Sequence, residues 1–194
     1  RNAMSIPPSD ARFELKFVDY ETSLPDIHRW VKFHPACFKI HHQIRSIHNI
    51  YYDTFDYYAF AQNLSGVSNR EKLRYRWYGE SMIPQPGRLE LKKRCNLKGW
   101  KEILNVEVGP YNEGDSWRKI TQKIVAQTSL RERMWLHIHP MPVLINTYNR
   151  QYYISENGKT RLTIDTKFRV WDQRFKAKPN FTHQSHVAQT VVVE

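Results

Sequence analysis

Cysteine is almost absent from this chain. The two that occur, Cys37 and Cys95, lie far apart and form no close-spaced pair. This usage is not that of a disulfide-stapled secreted domain and is typical of a protein in a reducing cytosol. The nine histidines are scattered, and the closest pairs, at 41–42 and 137–139, lack the spacing of a helical zinc site. The sequence therefore argues against a thiol or histidine metal centre.

Long apolar runs, internal repeats and low-complexity segments are also missing. No stretch approaches the ~20 apolar residues that a membrane helix needs, and no secretory signal follows Met4. We therefore expect a cytoplasmic protein, or one at the cytoplasmic face of a membrane. Residues 1–3 are interpreted as a cloning remnant, followed by a flexible, proline-containing lead-in at 4–10 and a single domain over 11–194.

Acidic residues are scarce relative to basic ones. The chain has 30 Lys and Arg against 19 Asp and Glu, which gives a formal charge of +11. Such an excess favours a polyanionic partner, and nucleic acid, a polyphosphate or nucleotide, and an anionic membrane surface all stay open at this point. Composition alone does not determine the fold.

The clearest pattern that is present is the segment from Arg70 to Gly79. Alternate residues of a strand point to opposite faces, so this segment predicts a strand with one cationic and one apolar, aromatic face. Cations on one strand face lie about 6.6 Å apart, and if they are enclosed they need an anion or acidic partners. The cationic row is Arg70, Lys72, Arg74 and Arg76, and the apolar row is Leu73, Tyr75 and Trp77.

The same alternation recurs in other predicted strands. An ordinary solvated sheet face would also alternate, and for any one strand that explanation is the better one. Taken together, however, the ionic faces are dominated by Arg and Lys, with acids in step with them. Examples are Glu14 with Lys16, Glu90 with Lys92 and Asp165 with Lys167. We therefore expect an α+β fold in which an antiparallel sheet closes into a barrel with a charged interior. The apolar face would point outward, against helices at 23–34 and 116–135.

A cation-lined interior suits a chain of phosphates. Arginine binds phosphate oxygens through its planar fork, and lysine acts as a point charge. Carboxylates repel phosphate unless a divalent cation bridges them, so a few acids among many bases indicate Mg²⁺ or Mn²⁺ held by carboxylate and phosphate oxygens together. Phosphoryl transfer needs mainly positioning and charge neutralisation, which this lining supplies.

Five short motifs along the chain carry a family resemblance. They are Arg12-Phe13-Glu14-Leu15-Lys16, Ile50-Tyr51-Tyr52-Asp53-Thr54, Lys72-Leu73-Arg74-Tyr75-Arg76-Trp77-Tyr78-Gly79, Glu90-Leu91-Lys92 and Arg161-Leu162-Thr163-Ile164-Asp165. In this order they resemble the VTC domain, the polyphosphate polymerase branch of the triphosphate tunnel metalloenzymes in the CYTH-like superfamily. The Arg-x-Arg-Trp-Tyr-Gly and Arg-Leu-Thr-Ile-Asp elements are the more specific ones.

The resemblance implies a closed antiparallel eight-stranded β-barrel, open at both ends as a tunnel and lined by basic residues. It implies a phosphotransferase that passes the γ-phosphate of ATP to a growing polyphosphate chain with Mn²⁺ or Mg²⁺. It implies phosphate binding by Lys16, Arg74, Arg76, Lys92, Lys101 (or Lys98), Arg150 and Arg161. Among these, the residues expected to be catalytic are Lys92, Arg74 and Arg76.

Two glutamates are the expected metal ligands. Glu194 matches the metal-binding glutamate that the family carries late in its sequence, and Glu14 is a second candidate. Pairing with Arg12 or Lys16 explains Glu14 equally well. Members of this family continue past the late glutamate into a lysine-bearing segment and a C-terminal helix, so we expect that helix to be missing after Glu194.

The resemblance leaves the activity open between related possibilities. The alternatives to a polymerase are a tripolyphosphate or nucleoside triphosphate hydrolase of the same fold and a non-catalytic polyphosphate-binding module. The expected partners are ATP, polyphosphate or tripolyphosphate, and a membrane protein in the cell, whereas the oligomeric state is not predicted. Nucleic acid is not expected, because a nucleic-acid surface places aromatics and cations on one exposed face and here they alternate.

Overall fold

The structure of the protein is a computed structural model that describes residues 7–107, 111–112 and 114–194. The expected cloning remnant at 1–3 and the first part of the lead-in, 4–6, lie outside this range. The strands within it are β1 (Arg12–Phe13), β2 (Phe17–Tyr20), β3 (Lys39–Asp53), β4 (Asn69–Tyr78), β5 (Gly87–Cys95), β6 (Lys98–Val106), β7 (Met141–Ile154), β8 (Arg161–Asp172) and β9 (Thr190–Val193). The α-helices are α1 (Leu24–Phe33), α2 (Tyr58–Leu64), α3 (Trp117–Val125) and α4 (Leu130–Ile138), and a 3₁₀ turn spans Glu21–Ser23.

All of these strands belong to one antiparallel sheet in the order β1-β6-β5-β4-β3-β7-β8-β9-β2. The edge strands, β1 and β2, follow each other in the chain and are joined only by residues 14–16. Within the described part of the chain, no backbone pairing connects β1 to β2. The sheet is therefore an open sheet of nine strands.

The expected closed eight-stranded barrel is consequently wrong. Its physical reason lies in the break at residues 14–16. β1 pairs with β6 and β2 pairs with β9, and among the described residues no continuous strand carries the pairing from one edge of the sheet to the other. The uninterrupted alternation from Arg12 to Val18 predicts one strand there, and the structure divides it into two.

The apolar row of β4 lies in the main core. Leu73, Tyr75 and Trp77 are completely buried, and they pack with Ile120 and Ile124 of α3. Trp135 and Leu136 of α4 belong to the same cluster. The sequence predicts a single helix over 116–135, but Ser129 begins a new helix at its end, with a capping box formed with Glu132.

Helix α1 covers the other end of the same sheet face. Val31 packs against Leu162 and Ile164 of β8 and against Val191 of β9. Helices α1, α3 and α4 therefore pack on one face of the sheet, and the charged rows lie on the opposite face. Among the described residues, no helix combines the length and the apolar character that crossing a membrane would require.

The contact between α3 and the sheet generates a stability prediction. Ile124 is completely buried in the main core, so Ile124→Ala should leave a cavity and lower the free energy of unfolding by about 2–5 kcal/mol. Leu130→Ala is the matched control, because Leu130 is 78% exposed and its truncation should change stability by less than about 0.5 kcal/mol. Urea denaturation measures both. Equal effects of the two substitutions would contradict the assignment of α3 to the core.

Candidate phosphate-binding face

The sheet face opposite α3 and α4 carries a dense set of ionic side chains, which we call the basic face. On β4 it bears Lys72, Arg74 and Arg76, which alternate with the buried row of Leu73, Tyr75 and Trp77. Ion pairs and hydrogen bonds join this row to side chains from neighbouring strands. Its members are Glu14, Lys16, Asn49, Tyr51, Lys72, Arg74, Arg76, Glu90, Lys92, Lys101, Asn146, Tyr148, Arg150, Asp165 and Glu194.

Arg74 is held by a buried carboxylate. Its Nε donates to Glu90 Oε2 at 2.8 Å, and its Nη2 lies 2.6 Å from the same oxygen. Lys101 Nζ is 3.4 Å from Glu90 Oε1. Glu90 has no solvent exposure. Burial by itself would raise the pKa of Glu90, but the charges of Arg74, Arg76 and Lys101 outweigh burial and lower it to about 2. Glu90 thus remains a carboxylate that orients two cations.

Arg76 is held by neutral groups. Its Nε donates to Asn49 Oδ1 at 2.7 Å, and its Nη2 donates to Tyr148 Oη at 2.8 Å. Asn49 is itself fixed by donating to Asn146 Oδ1 at 2.8 Å. Gly87 lies so close to this part of β4 that a Cβ atom at position 87 would be 2.1 Å from the Arg76 carbonyl oxygen. Arg76 is therefore rigidly placed, and its charge has no direct carboxylate partner among the described residues.

Arg150 forms the third arginine site. Its Nε and Nη2 donate to the two oxygens of Asp165, each at 2.6 Å, in the two-pronged geometry that favours arginine. Nη2 also lies 3.4 Å from Glu194 Oε2. Burial by itself would lower the pKa of Arg150, but Asp165 outweighs that effect and the pKa is raised. Arg150 therefore stays charged and tied to β8.

The lysines of the basic face meet the two glutamates. Lys92 Nζ lies 2.7 Å from Glu14 Oε2 and 3.7 Å from Glu194 Oε1. Lys16 Nζ is 3.8 Å from the same Glu194 oxygen. Burial by itself would raise the pKa of Glu194, but Lys16, Lys92 and Arg150 outweigh it and lower the pKa. These contacts bring the two ends of the sheet together through side chains.

Two of the positions considered as phosphate-binding residues, Arg161 and Lys98, do not reach the basic face. Arg161 begins β8, is exposed, and makes no ion pair with any residue that the structure describes. It shares a strand face with Asp165 but lies two pleats away, about 13 Å along the strand, so it is not part of the cluster. Lys101 contacts Glu90, whereas Lys98 lies over the ring of Phe13, so Lys101 is the lysine that reaches the basic face.

Several residues of the basic face are neutral, and the sequence prediction, which followed charge, did not include them. Tyr51 is directly opposite Arg74, and Tyr148 bonds Arg76. Burial by itself would raise the pKa of Tyr51, but the charges of Arg74 and Arg76 outweigh burial and lower it to about 8. The sequence did contain a signal for Asn49 and Tyr51. In the predicted strand they alternate with Ile50 and Tyr52, which are buried, so they belong to the opposite face of the strand.

Comparison with protein families decides the relationship. The model of the VTC domain family matches residues 11–194. The chain belongs to the VTC domain family. This is the tunnel-fold family of polyphosphate polymerases, and it connects the domain with polyphosphate. A search among curated proteins found no match.

The donor set of this VTC domain fits a divalent cation only in part. Carboxylate oxygens suit Mg²⁺ and Mn²⁺, and Glu14 and Glu194 both face Lys92. In the described ranges, no three His, Cys, Asp or Glu side chains are grouped so that they could hold a metal ion. Mg²⁺ commonly takes one or two carboxylates and completes its shell with phosphate oxygens and water. The two glutamates fit that pattern when phosphate is present.

The buried Glu90 generates a pH prediction. The pKa of Glu90 in the folded VTC domain, about 2, lies below its ordinary value of 4.5. Its stabilising contribution is therefore present above about pH 4.5 and is lost as the pH falls towards 2. In urea denaturation over this range, the wild-type free energy of unfolding should fall more than that of Glu90→Gln, by on the order of 3 kcal/mol.

The control for this measurement is Glu156→Gln. Glu156 pairs with Lys39 at the surface, with a side chain that is 60% exposed. Its substitution should leave the acid dependence of stability close to that of the wild type. Parallel curves for wild type and Glu90→Gln would show that the Glu90 carboxylate is not selectively stabilised in the fold.

Proposed function

We propose that this VTC domain is a metal-dependent polyphosphate polymerase that transfers the γ-phosphate of ATP to a polyphosphate chain on the basic face. The observation that carries the proposal is the surplus of cations over carboxylates on one face of the sheet. Its carboxylates are Glu14, Glu90, Asp165 and Glu194, and its cations are Lys16, Lys72, Arg74, Arg76, Lys92, Lys101 and Arg150. Such a surplus is stabilised by a polyanion that lies along the face.

The three arginines suit the positioning of a triphosphate. Arg74 and Arg76 project from the same side of β4, about 6.6 Å apart along the strand. Tyr148 links Arg76 to Arg150: it accepts a hydrogen bond from Arg76, and the Arg150 guanidinium lies 5.4 Å from the centre of its ring. Fixed guanidinium groups stabilise charge that builds up on transferring phosphoryl oxygens, without reorganising at the moment of reaction. Arg76 has only neutral partners and is 4% exposed, so it carries the least compensated charge of the three arginines, at the base of the site proposed for the γ-phosphate.

In the proposed reaction, the bond between the γ-phosphorus and its bridging oxygen to the β-phosphate breaks, and ADP leaves. A terminal oxygen of the polyphosphate chain forms the new bond to the γ-phosphorus. Lys92 would release Glu14 and Glu194 and contact the phosphates instead, while Arg74 and Arg76 hold the transferring group. The residues supply positioning and charge neutralisation, which phosphoryl transfer mainly requires.

Glu14 and Glu194 would hold the divalent cation together with phosphate oxygens. Such an ion, when bound, neutralises charge on the β- and γ-phosphates and lets the two carboxylates lie close to a polyanion. The same face would also serve a hydrolase, in which water replaces the chain as the acceptor, or a module that only binds polyphosphate. The reaction products separate these three possibilities.

The proposal predicts that the protein, supplied with ATP and Mn²⁺, forms ADP and polyphosphate in step. Both products should disappear with a chelator, and Arg76→Ala should lower the rate at least about a hundredfold, as for loss of one transition-state donor. Arg174→Ala is the control, because Arg174 is a surface arginine paired with Asp172. Orthophosphate without polyphosphate would indicate a hydrolase, and binding without turnover would reduce the domain to a phosphate-binding module.

Binding energy gives a second prediction for the same residue. Arg76→Ala should weaken tripolyphosphate binding by about 1.5–3 kcal/mol, the typical value of charge-assisted hydrogen bonds. Arg76 is the informative position because its partners, Asn49 and Tyr148, are neutral, whereas loss of Arg74 would leave the Glu90 carboxylate buried without its main partner. Titration calorimetry measures the change, with Arg174→Ala expected to bind as the wild type does. Unchanged affinity in Arg76→Ala would place the phosphates elsewhere.

A further inference from the structure

The helix-covered face of the sheet contains a cavity of about 570 Å³, which we call the outer pocket. Its walls come from β3, β7 and β8, from the start of the 3₁₀ turn, from the turn after β4 and from the segment 184–189. The ring of His48 stacks on the buried Trp77, with 5.2 Å between ring centres, so this part of β3 faces the core. The outer pocket therefore lies on the side of the sheet opposite the basic face. Its volume falls within the roughly 300–1,000 Å³ typical of small-molecule sites.

The floor of the outer pocket is polar, although this sheet face elsewhere carries the apolar clusters under α1 and under α3 and α4. His48 and Thr147 lie directly opposite each other on β3 and β7, and they are only 2% and 3% exposed. Ser46 and Asn149 form the next pair, in which Ser46 Oγ donates to Asn149 Oδ1 at 3.3 Å. Buried polar groups need partners, so core-facing strand positions are usually apolar. This polar strip therefore requires an explanation.

One buried atom of the floor has no hydrogen-bond partner. His48 Nε2 lies 2.6 Å from the Gly79 carbonyl oxygen, which can only accept, so Nε2 carries the proton of the neutral ring. Nδ1 is then an acceptor, and it is buried with no donor among the described residues. Burial lowers the pKa of His48, which keeps the ring neutral. Buried acceptors normally have a donor, and the ring that carries this one lines the outer pocket.

A β-bulge lies at the edge of the outer pocket. Two residues of β8, Lys167 and Phe168, face the single residue Tyr148 of β7. Lys167 has a φ of 57°, in the left-handed region that is strained for a residue with a side chain. Its backbone N–H donates to Glu21 Oε1 at 2.6 Å, which holds the bulge against the 3₁₀ turn. Bulges re-aim side chains and are frequent beside functional sites.

Four charged side chains line the outer pocket without pairing with one another. They are two cations and two carboxylates, Lys167, Arg169, Glu21 and Glu80. Among the residues that the structure describes, none of the four takes part in an ion pair, and Arg169 Nη2 instead contacts Met82 Sδ at 3.7 Å. Unpaired charges of both signs around one cavity are complementary to a ligand that itself carries both signs.

An ordinary solvated groove would be the simpler explanation, because exposed charges often remain unpaired at a surface. Two features distinguish the outer pocket from such a groove. Polar side chains that are almost completely buried form its floor, where ordinary packing would place apolar ones. A strained bulge residue holds one of the cations at its edge, and strain of this kind is concentrated at ligand sites.

We propose that the outer pocket binds a small zwitterion that carries one ammonium group and one anionic group. The ammonium group lies beside Glu21 and Glu80, and the anionic group lies beside Lys167 and Arg169. A ligand with a single charge is attracted by one pair of side chains and repelled by the other, so both groups are required. The outer pocket is separate from the basic face, and the inference does not rest on the proposed function.

A comparison of ligands tests the need for both charges. Titration calorimetry of the wild type at low salt uses 4-aminobutyrate and longer ω-amino acids, with butyrate and butylamine as matched ligands that carry one charge each. At least one amino acid should bind about tenfold more tightly than either matched ligand, as for one added charge-assisted hydrogen bond. The inference is overturned if none of the amino acids binds, or if butyrate or butylamine binds as tightly as they do.

Two neutralising substitutions locate the bound amino acid. Arg169→Met and Glu80→Gln should each weaken its binding at least about tenfold. Arg174→Ala is the control, because Arg174 lies outside the outer pocket and pairs with Asp172, and it should bind as the wild type does. Saturating tripolyphosphate should leave the affinity for the amino acid unchanged, because the basic face is on the other side of the sheet.

Unchanged binding in both neutralised variants, or competition by tripolyphosphate, would place the amino acid elsewhere and overturn the inference. Arg169 and Glu80 are exposed, so their substitution should preserve the fold. Thermal unfolding of each variant checks this, and Lys167→Met replaces any variant that unfolds.

Discussion

Arg74 and Arg76 project from the same side of one strand, and the structure compensates their charges in two different ways. Arg74 faces a carboxylate, Glu90, which is completely buried. Arg76 faces an amide and a phenol, Asn49 and Tyr148. A carboxylate cancels charge, whereas neutral acceptors fix geometry and leave the charge to be matched by something else. The basic face therefore contains one arginine whose charge is compensated by a carboxylate and one whose charge has no direct carboxylate partner among the described residues.

The same strand links the basic face to the core. Tyr75 and Trp77 alternate with the arginines and are completely buried in the cluster that includes α3 and α4. Tyr75 Oη donates to the Gln85 carbonyl oxygen at 2.7 Å, and Trp77 Nε1 donates to the Ser81 carbonyl oxygen at 2.9 Å. The turn between β4 and β5 is thereby tied to the aromatic row. Packing on one side of β4 therefore holds the arginines on the other side in place.

Sequence reasoning predicted the faces of the strands and failed on the closure of the sheet. Side-chain parity is local, so the pattern around Arg74 was sufficient to assign Tyr75 and Trp77 to the helix-covered side. Closure depends on hydrogen bonds between distant segments, and alternation from Arg12 to Val18 contains no sign of the break at 14–16. Family resemblance led to a barrel where the backbone leaves two free edges. Neutral residues such as Asn49 and Tyr148 were missed because a search for charge does not detect them.

Exposure separates the roles of the two kinds of cation. The side chain of Arg74 is 12% exposed and that of Arg150 is 16% exposed, whereas those of Lys101 and Lys16 are 43% and 50% exposed. Two nitrogens of Arg74 contact one oxygen of Glu90, and two nitrogens of Arg150 contact both oxygens of Asp165, so both guanidinium groups are pre-organised. In the proposed function, lysines of the basic face exchange their glutamates for phosphate. Among the described residues Glu14 is paired with Lys92 alone, whereas Glu194 lies near Lys16, Lys92 and Arg150. Under the proposed function, the carboxylates would act as internal counter-ions that occupy the lysines until a polyphosphate chain replaces them.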